Sequence, residues 1–471
     1  MGELLDDSPE HWLIIPELTT DPPSTPAWPA ESPLKTTRLG RTRKRVVHYK
    51  DLLVGSISLM GTSAVLGIAG FLFWVVVARF YPITEVGHAT AMVSAIILLS
   101  TIGVFGLGTV LIGELSLDPR RVDPLLPAAL GVTIALSALM AGVFAFGVAL
   151  LPSSALNHDF DNNWSTYVIF IVSVAVASGA GVFDQVSLGL RASHMQFLRN
   201  TVMSVARLVA VVALAVVWGR TANSLLAAWT AAVVFSMFVI VWPLRRRGIR
   251  LMRIRSPRHL RGLMVHSAHH TTLNMALSIP RLIMPIVVAA YADGITTAVF
   301  YVCWMIAMFL YMVPAALSTT LFVIAVGDND ALRKQIRVTL TLSAVVGLVC
   351  VPAVALFAHP LLSLFGAQYA ALGATTLALL IFLYIPNGIK QHYAAISRAR
   401  NNVRFAGWVC GIGALCEIAV VAAAMRAGGG ILVASGALCI VLLVEAVFMS
   451  PSVVGTLRTP RGDEAPPSLA T

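Results

Sequence analysis

The chain has 471 residues, of which 58% are hydrophobic and 12% charged, with a mean hydropathy of +0.83 and a formal net charge of +11. So few charges cannot clothe a soluble core, and the composition excludes a water-soluble globular protein in favour of a helical bundle in lipid. The positive excess requires no nucleic acid, because basic residues flanking membrane spans face the anionic inner leaflet.

Residues 1–34 contain no Lys or Arg and seven prolines, with acidic residues at Glu3, Asp6, Asp7, Glu10, Glu17, Asp21 and Glu31. That segment buries no core and reads as a disordered cytoplasmic tail rather than a signal peptide. A basic stretch follows, from Lys35 to Lys50. Twelve apolar stretches come next, at 52–78, 87–113, 124–151, 165–190, 197–218, 223–244, 265–291, 295–326, 337–358, 370–391, 404–425 and 430–451. Each matches the roughly 20 residues a membrane helix needs.

Charge orients the spans. Lys and Arg resist translocation, so links rich in them stay in the cytoplasm. Alternate links hold Arg120 and Arg121; Arg191 and Arg199; a run from Arg245 to Arg261; Arg333, Lys334 and Arg337; Lys390, Arg398, Arg400 and Arg404; and Arg458 and Arg461. The opposite links carry only Arg79, Arg220 and Arg426. Twelve spans with both termini cytoplasmic satisfy this pattern. The fold class is therefore an all-α polytopic membrane protein, with twelve transmembrane helices in two six-helix lobes. The expected units are a tail at 1–50, a lobe at 51–246, a basic cytoplasmic linker at 247–262, a second lobe at 263–452 and a tail at 453–471.

The halves read as copies. Val76-Val77-Ala78-Arg79-Phe80-Tyr81 matches Val287-Val288-Ala289-Ala290-Tyr291-Ala292 at an offset of 211. Leu190-Arg191-Ala192-Ser193 matches Ser397-Arg398-Ala399-Arg400 at an offset of 207. Duplicated units with an even number of spans keep one orientation, and a binding site then lies between the lobes.

These residues resemble the bacterial polysaccharide flippases of the multidrug/oligosaccharidyl-lipid/polysaccharide (MATE-like) exporter superfamily. The likeness rests on the short link ending in Glu85-Val86-Gly87, the glycine-rich Gly103-Val104-Phe105-Gly106-Leu107-Gly108, and the stretch from Lys390-Gln391-His392-Tyr393 to Ser397-Arg398-Ala399-Arg400. The resemblance implies a two-lobe carrier that passes a lipid-linked oligosaccharide across the plasma membrane by alternating access. It also brings proton or sodium coupling into view. Cation-coupled drug exporters of this superfamily often carry an acid in span one, and residues 52–78 have none. An exporter of small amphiphiles and a non-transporting membrane scaffold are the alternative readings.

The longest link between spans on the side opposite the basic links, 152–164, is too short for a catalytic domain, and no nucleotide-binding glycine loop is present, so the chain is expected not to be an enzyme. No cofactor is implied. Five cysteines in or beside spans, with no CxxC pair, read as packing residues. The informative side chains are charges at membrane depth, which cost about 2.5–3.5 kcal/mol each to insert. Arg281, between Pro280 and Pro285, and Arg207 suit the two phosphates of a lipid diphosphate, with Lys390 at the cytoplasmic end of span ten as a further head-group contact. Asp184 is the expected ion-pair partner of Arg207. Glu417 and Glu445 on adjacent spans form a candidate ion-coupling or ion-pair set, since two carboxylates in low dielectric resist ionising together.

Overall fold

The computed structural model describes residues 67–458, apart from 105, 119–120, 151–155, 157–159, 161–163, 191, 247–267, 326–328 and 401. The expected tail at 1–50, the linker at 247–262, the start of span one, almost all of the 152–164 link and the last residues of the C-terminal tail lie outside the described residues.

Among the described residues all regular structure is helical, in fifteen segments. The first half comprises α1 (Gly67–Phe80), α2 (Ile83–Val104), α3 (Leu107–Leu117), α4 (Val122–Ala149), α5 (Trp164–Gly189), α6 (Ser193–Val217) and α7 (Ala222–Arg246). The second comprises α8 (Ala268–Ala289), α9 (Gly294–Ala325), α10 (Asn329–Leu356), α11 (Ala358–Ser363), α12 (Ala367–Phe382), α13 (Tyr384–Ala399), α14 (Val403–Arg426) and α15 (Gly430–Arg458). Eleven spans among the described residues are long and apolar enough to cross a bilayer, with α12 and α13 together forming one of them. The segment α1 contributes to the twelfth. Large side chains such as Phe146, Leu348 and Phe448 are more than two-thirds exposed. Such apolar surface is a liability in water, and acyl chains cover it in a bilayer.

Two predicted spans are interrupted, each for a backbone reason. The second breaks between α2 and α3, where Gly106 adopts φ 84°, a left-handed conformation that glycine enters without a Cβ clash. The tenth breaks between Phe382 and Tyr384. Pro386 has no N–H for the Phe382 carbonyl four residues earlier, and its ring crowds that group. The chain tightens there, with the Leu383 N–H donating to the Leu380 carbonyl at 3.0 Å. The Tyr311 hydroxyl of α9 donates to the same carbonyl.

The helix starts repeat across the halves. Ile83 and Gly294 differ by 211 positions, and Val122 and Asn329 by 207. The two lobes meet along α1 and α2 of the first against α8 and α9 of the second. Gly87 makes this approach possible: a Cβ there would overlap the backbone of Gly294. Glu85, two residues earlier, accepts the N–H of Ala222 at 2.7 Å, placing a negative charge at the positive end of α7. The Glu85-Val86-Gly87 step thus joins the lobe internally through its acid and to the other lobe through its glycine.

Buried apolar residues divide unevenly between the ends. One large cluster runs through both lobes at the end bearing Tyr81, Leu156, Ala222, Ala292 and Met425, here the far end. At the opposite, arginine-rich end each lobe keeps its own cluster, around Leu111 and Leu126 in the first and around Ile336 and Ala406 in the second. Further bonds tie the far end: Arg79 of α1 donates to the carbonyls of Leu364 at 2.8 Å and Ser363 at 2.7 Å, and the Leu156 N–H donates to the Ala289 carbonyl at 3.2 Å. The lobes are joined at the far end and separately cored at the basic end.

Candidate functional site

Arg207 lies midway along α6. Its guanidinium carbon sits 5.3 Å from the Phe73 ring centroid and 5.1 Å from that of Trp229. Both rings are buried. A desolvated guanidinium over an aromatic face gains about 2 kcal/mol from the ring quadrupole. Next to Phe73, Trp74 packs 4.8 Å from Tyr301 of the second lobe. Arg207 therefore stands at the junction of the lobes. Its Nε is buried without a hydrogen-bond partner, and among the described residues no carboxylate forms an ion pair with it.

The expected pairing of Arg207 with Asp184 is not the one that forms. Asp184 is held by Arg199, with Nη2 to Oδ2 at 2.6 Å and Nε to Oδ1 at 2.9 Å. Arg199 is only 3% exposed, so it belongs to a buried pair inside the lobe and not to a link at the surface. The reason is register. Asp184 and Arg199 stand at similar distances on either side of the α5–α6 turn, whereas Arg207 is about 12 Å further along α6. That spacing was readable from the sequence and points to Arg199. The aromatic cradle, from Phe73 and Trp229 on two helices, left no local signal.

Arg281 is on α8 between Pro280 and Pro285. Pro285 has no N–H for the Arg281 carbonyl. The Trp304 indole N–H of α9 donates to that carbonyl instead, at 3.0 Å. The Arg281 side chain is exposed, and its guanidinium reaches the Ser278 hydroxyl at 3.3 Å. Among the described residues no carboxylate pairs with it. It lines a cavity of about 30 Å³ with Trp304, Asn387, Lys390, Gln391 and Glu417.

Lys390 corrects another expectation. It is not an open cationic end of span ten but is 4% exposed within the second lobe. Its Nζ donates to Glu417 Oε1 at 2.5 Å and to Glu445 Oε2 at 2.7 Å. The helix after the break at Leu383 runs to Ala399, eight residues past the expected end at 391, so Lys390 lies within it and not at its end. Glu417 and Glu445 do come together, but bridged by an ammonium that the sequence reading had assigned elsewhere. A hydrogen-bonded ion triad of this kind holds α13, α14 and α15 together, and removing one member would strand the others in low dielectric.

Residues 262–422 match the MatE family model. Solved structures share the architecture. An inward-facing multidrug resistance MATE family transporter of the MOP superfamily matches at 15% identity with a TM-score of 0.63, over 84% of this chain and 96% of that one. The lipid II flippase MurJ in an inward closed conformation matches at 11% identity and a TM-score of 0.65, over 85% and 89%. The Vibrio cholerae MATE transporter VcmN matches at 13% identity and 0.57, over 88% and 98%. No curated protein matches in sequence. The chain thus shares the fold of these MATE-superfamily structures, and most of its second lobe matches the MatE family model.

Proposed function

We propose that this multi-pass membrane protein is a transporter that flips a lipid-linked oligosaccharide or polysaccharide precursor across the plasma membrane by alternating access. The observation that carries this reading is Arg207, a guanidinium at the lobe junction cradled by aromatic rings and without an acid partner among the described residues. A fixed guanidinium presents paired donors to phosphate oxygens, and a lipid diphosphate supplies them. Arg281 is the second cationic contact on the opposite lobe. Lys390 is left out of the substrate set because both its carboxylate partners are already engaged. A flippase for lipid II among the structural neighbours supports a lipid-linked substrate.

With the basic links in the cytoplasm, both termini are cytoplasmic and the far end is external. The separately cored basic end is then the side from which the precursor enters. Export of small cationic amphiphiles is the second reading, supported by the MATE neighbours. It asks for an available acid at the lobe junction, whereas the charge exposed to that junction here is cationic.

The test is flipping of a fluorescent polyprenyl-diphosphate saccharide in liposomes containing the purified protein. Arg207→Ala and Arg281→Ala should each reduce the rate at least tenfold at normal protein yield, with Arg→Lys recovering part of it. Wild-type rates from both alanine variants would exclude the phosphate-binding role. Transport of a cationic dye without saccharide flipping would favour the second reading.

A further inference from the structure

The lipid-facing side of the first lobe carries two apolar grooves, one on each side of α7. The first, of about 530 Å³, lies between α5 and α7 along Val168, Val172, Ala227 and Phe238. The second, of about 670 Å³, lies between α6 and α7 along Val202, Val205 and Val209. Every lining residue is apolar or a threonine. Ala231 and Phe235 of α7 line both grooves, so Phe235 is a ridge between them. Phe235 and Phe238 are 57% and 63% exposed, and their rings meet edge to face at 6.4 Å. In a bilayer only lipid chains or another apolar helix can fill such grooves.

Depth selects the chain. The 25 residues of α7 have their midpoint at Val234. The first groove runs from Ala227 to Phe235, about 12 Å of helix rise, on the far-end side of that midpoint. Half of the hydrocarbon core is roughly 15 Å. The Phe238 ring leans toward the start of its helix and closes the groove near the midplane. The groove is therefore as long as an acyl chain of the far-end leaflet. The second groove is deeper, from Thr201 to Ala210 around the α6 midpoint at Val205, where the end of a second chain would lie. The far-end mouth holds a cation between two indoles. Arg220 is exposed in the turn between α6 and α7, Trp218 at the end of α6 is 53% exposed, and Trp164 at the start of α5 is 79% exposed. Indoles at such positions sit among lipid head groups, and arginine is disfavoured in external links. Of the arginines on that side, Arg79 is bonded to backbone carbonyls. Among the described residues no carboxylate forms an ion pair with Arg220, and Glu85 at the start of α7 accepts the Ala222 N–H.

We propose that an anionic diacyl phospholipid of the far-end leaflet, external in the proposed orientation, binds astride α7. Its phosphate lies on Arg220, where a guanidinium meets phosphate oxygens with paired donors. One acyl chain fills the α5–α7 groove, and the other passes Phe235 into the α6–α7 groove. Two grooves sharing one ridge suit two chains joined at one head group. A single polyprenyl chain would fill one groove and run on beyond the leaflet. The site is separate from the Arg207 cradle, whose rings are the buried Phe73 and Trp229. Helix α6, which carries Arg207, packs extensively on α7. A lipid lodged on both sides of α7 braces that pair and so holds Arg207 in place. Any effect on flipping rests on the transporter reading; the lipid site does not.

The experiment is photolabelling of the full-length protein in phosphatidylcholine liposomes, with labelled residues mapped by mass spectrometry. The probe is a trace of phosphatidylglycerol carrying a diazirine at the end of one acyl chain. Label should concentrate on the groove walls of α5, α6 and α7, at least fivefold above that from phosphatidylcholine bearing the same diazirine. Arg220→Gln should erase this preference, and Arg246→Gln, at the opposite end of α7, should keep it. Ala231→Phe, a lipid-facing change that narrows both grooves, should cut labelling of both walls at least fivefold. The wild-type comparison of the two head groups decides even where a variant gives no folded protein. Equal wall labelling by the two lipids overturns the proposal. Loss of the preference in Arg246→Gln instead of Arg220→Gln places the lipid in the other leaflet and also overturns it. Displacement of the label by equimolar polyprenyl phosphate would give the grooves to a polyprenyl chain. Disulfide-linked dimers through Val209→Cys, in a background without native cysteines, would give them to a second copy. Either result overturns the phospholipid. Labelling as expected in a protein that flips no saccharide would leave the lipid site standing and remove the flippase reading.

Discussion

Removing Arg199 would leave the Asp184 carboxylate between α5 and α6 without its counter-charge. Breaking one side of a buried pair costs about 3–5 kcal/mol, so Arg199→Ala should lower the thermal midpoint of the purified protein strongly. A double change, Arg199→Ala with Asp184→Ala, should recover most of the loss, because no charge is then stranded. Arg207→Ala strands no acid and should cost less than Arg199→Ala. Thermal unfolding in detergent measures all three, and equal destabilisation by Arg199→Ala and Arg207→Ala would contradict the assigned roles. At this scale the sequence revealed which residues were charged at depth but not whom they meet. Asp184 was legible as a pair member, and its partner was misassigned by two helical turns. Lys390 was read as interfacial because an apolar run ending near residue 391 conceals a helix that continues to Ala399.

The proline-freed carbonyls set a prediction for single elements. Trp304 satisfies the Arg281 carbonyl that Pro285 leaves open. Trp304→Phe keeps the ring and loses the donor, leaving a part-buried acceptor unpaired at a cost of about 1 kcal/mol. Pro285→Ala restores a backbone N–H for that carbonyl. In the Pro285→Ala background, Trp304→Phe should therefore be milder by most of that amount. Additive losses, measured by the same unfolding assay, would mean that the indole bond does not replace the helical one. The prolines of span seven were readable, but the Arg281 carbonyl was expected to face a cavity and instead accepts from Trp304. The breaks in spans two and ten were not readable, because hydrophobicity continues across Gly106 and Leu383 and the period of a helix is not lost over one residue. Helix α11 also went unseen, since a six-residue segment between two spans gives no periodic signal.

Across the whole molecule, the twelve-span count and the two-lobe plan were legible from apolar length and from repeats at offsets of 211 and 207. What the sequence could not specify was which end is closed, since the pairing of α2 with α9 connects residues more than 200 positions apart. That closure yields a prediction. Gly87 touches the backbone of Gly294, so Gly87→Leu would insert four carbon atoms into a contact with no space for one. Overpacking a tight contact costs about 1–3 kcal/mol, and here the lobes can relieve it by parting. Ala298, one turn into α9, is fully buried in the shared far-end cluster and can report the change. In a background with the five native cysteines replaced, Ala298→Cys should resist an impermeant thiol reagent applied to intact cells. Adding Gly87→Leu should make it react, because the far end, external in the proposed orientation, then opens. The folded yield should stay near normal, since neither lobe's own core at the basic end includes Gly87. Protection of Cys at position 298 in both backgrounds would mean that Gly87 does not hold the lobes together. Labelling in both would place the far end open at rest and contradict the closed arrangement of α1 and α2 against α8 and α9.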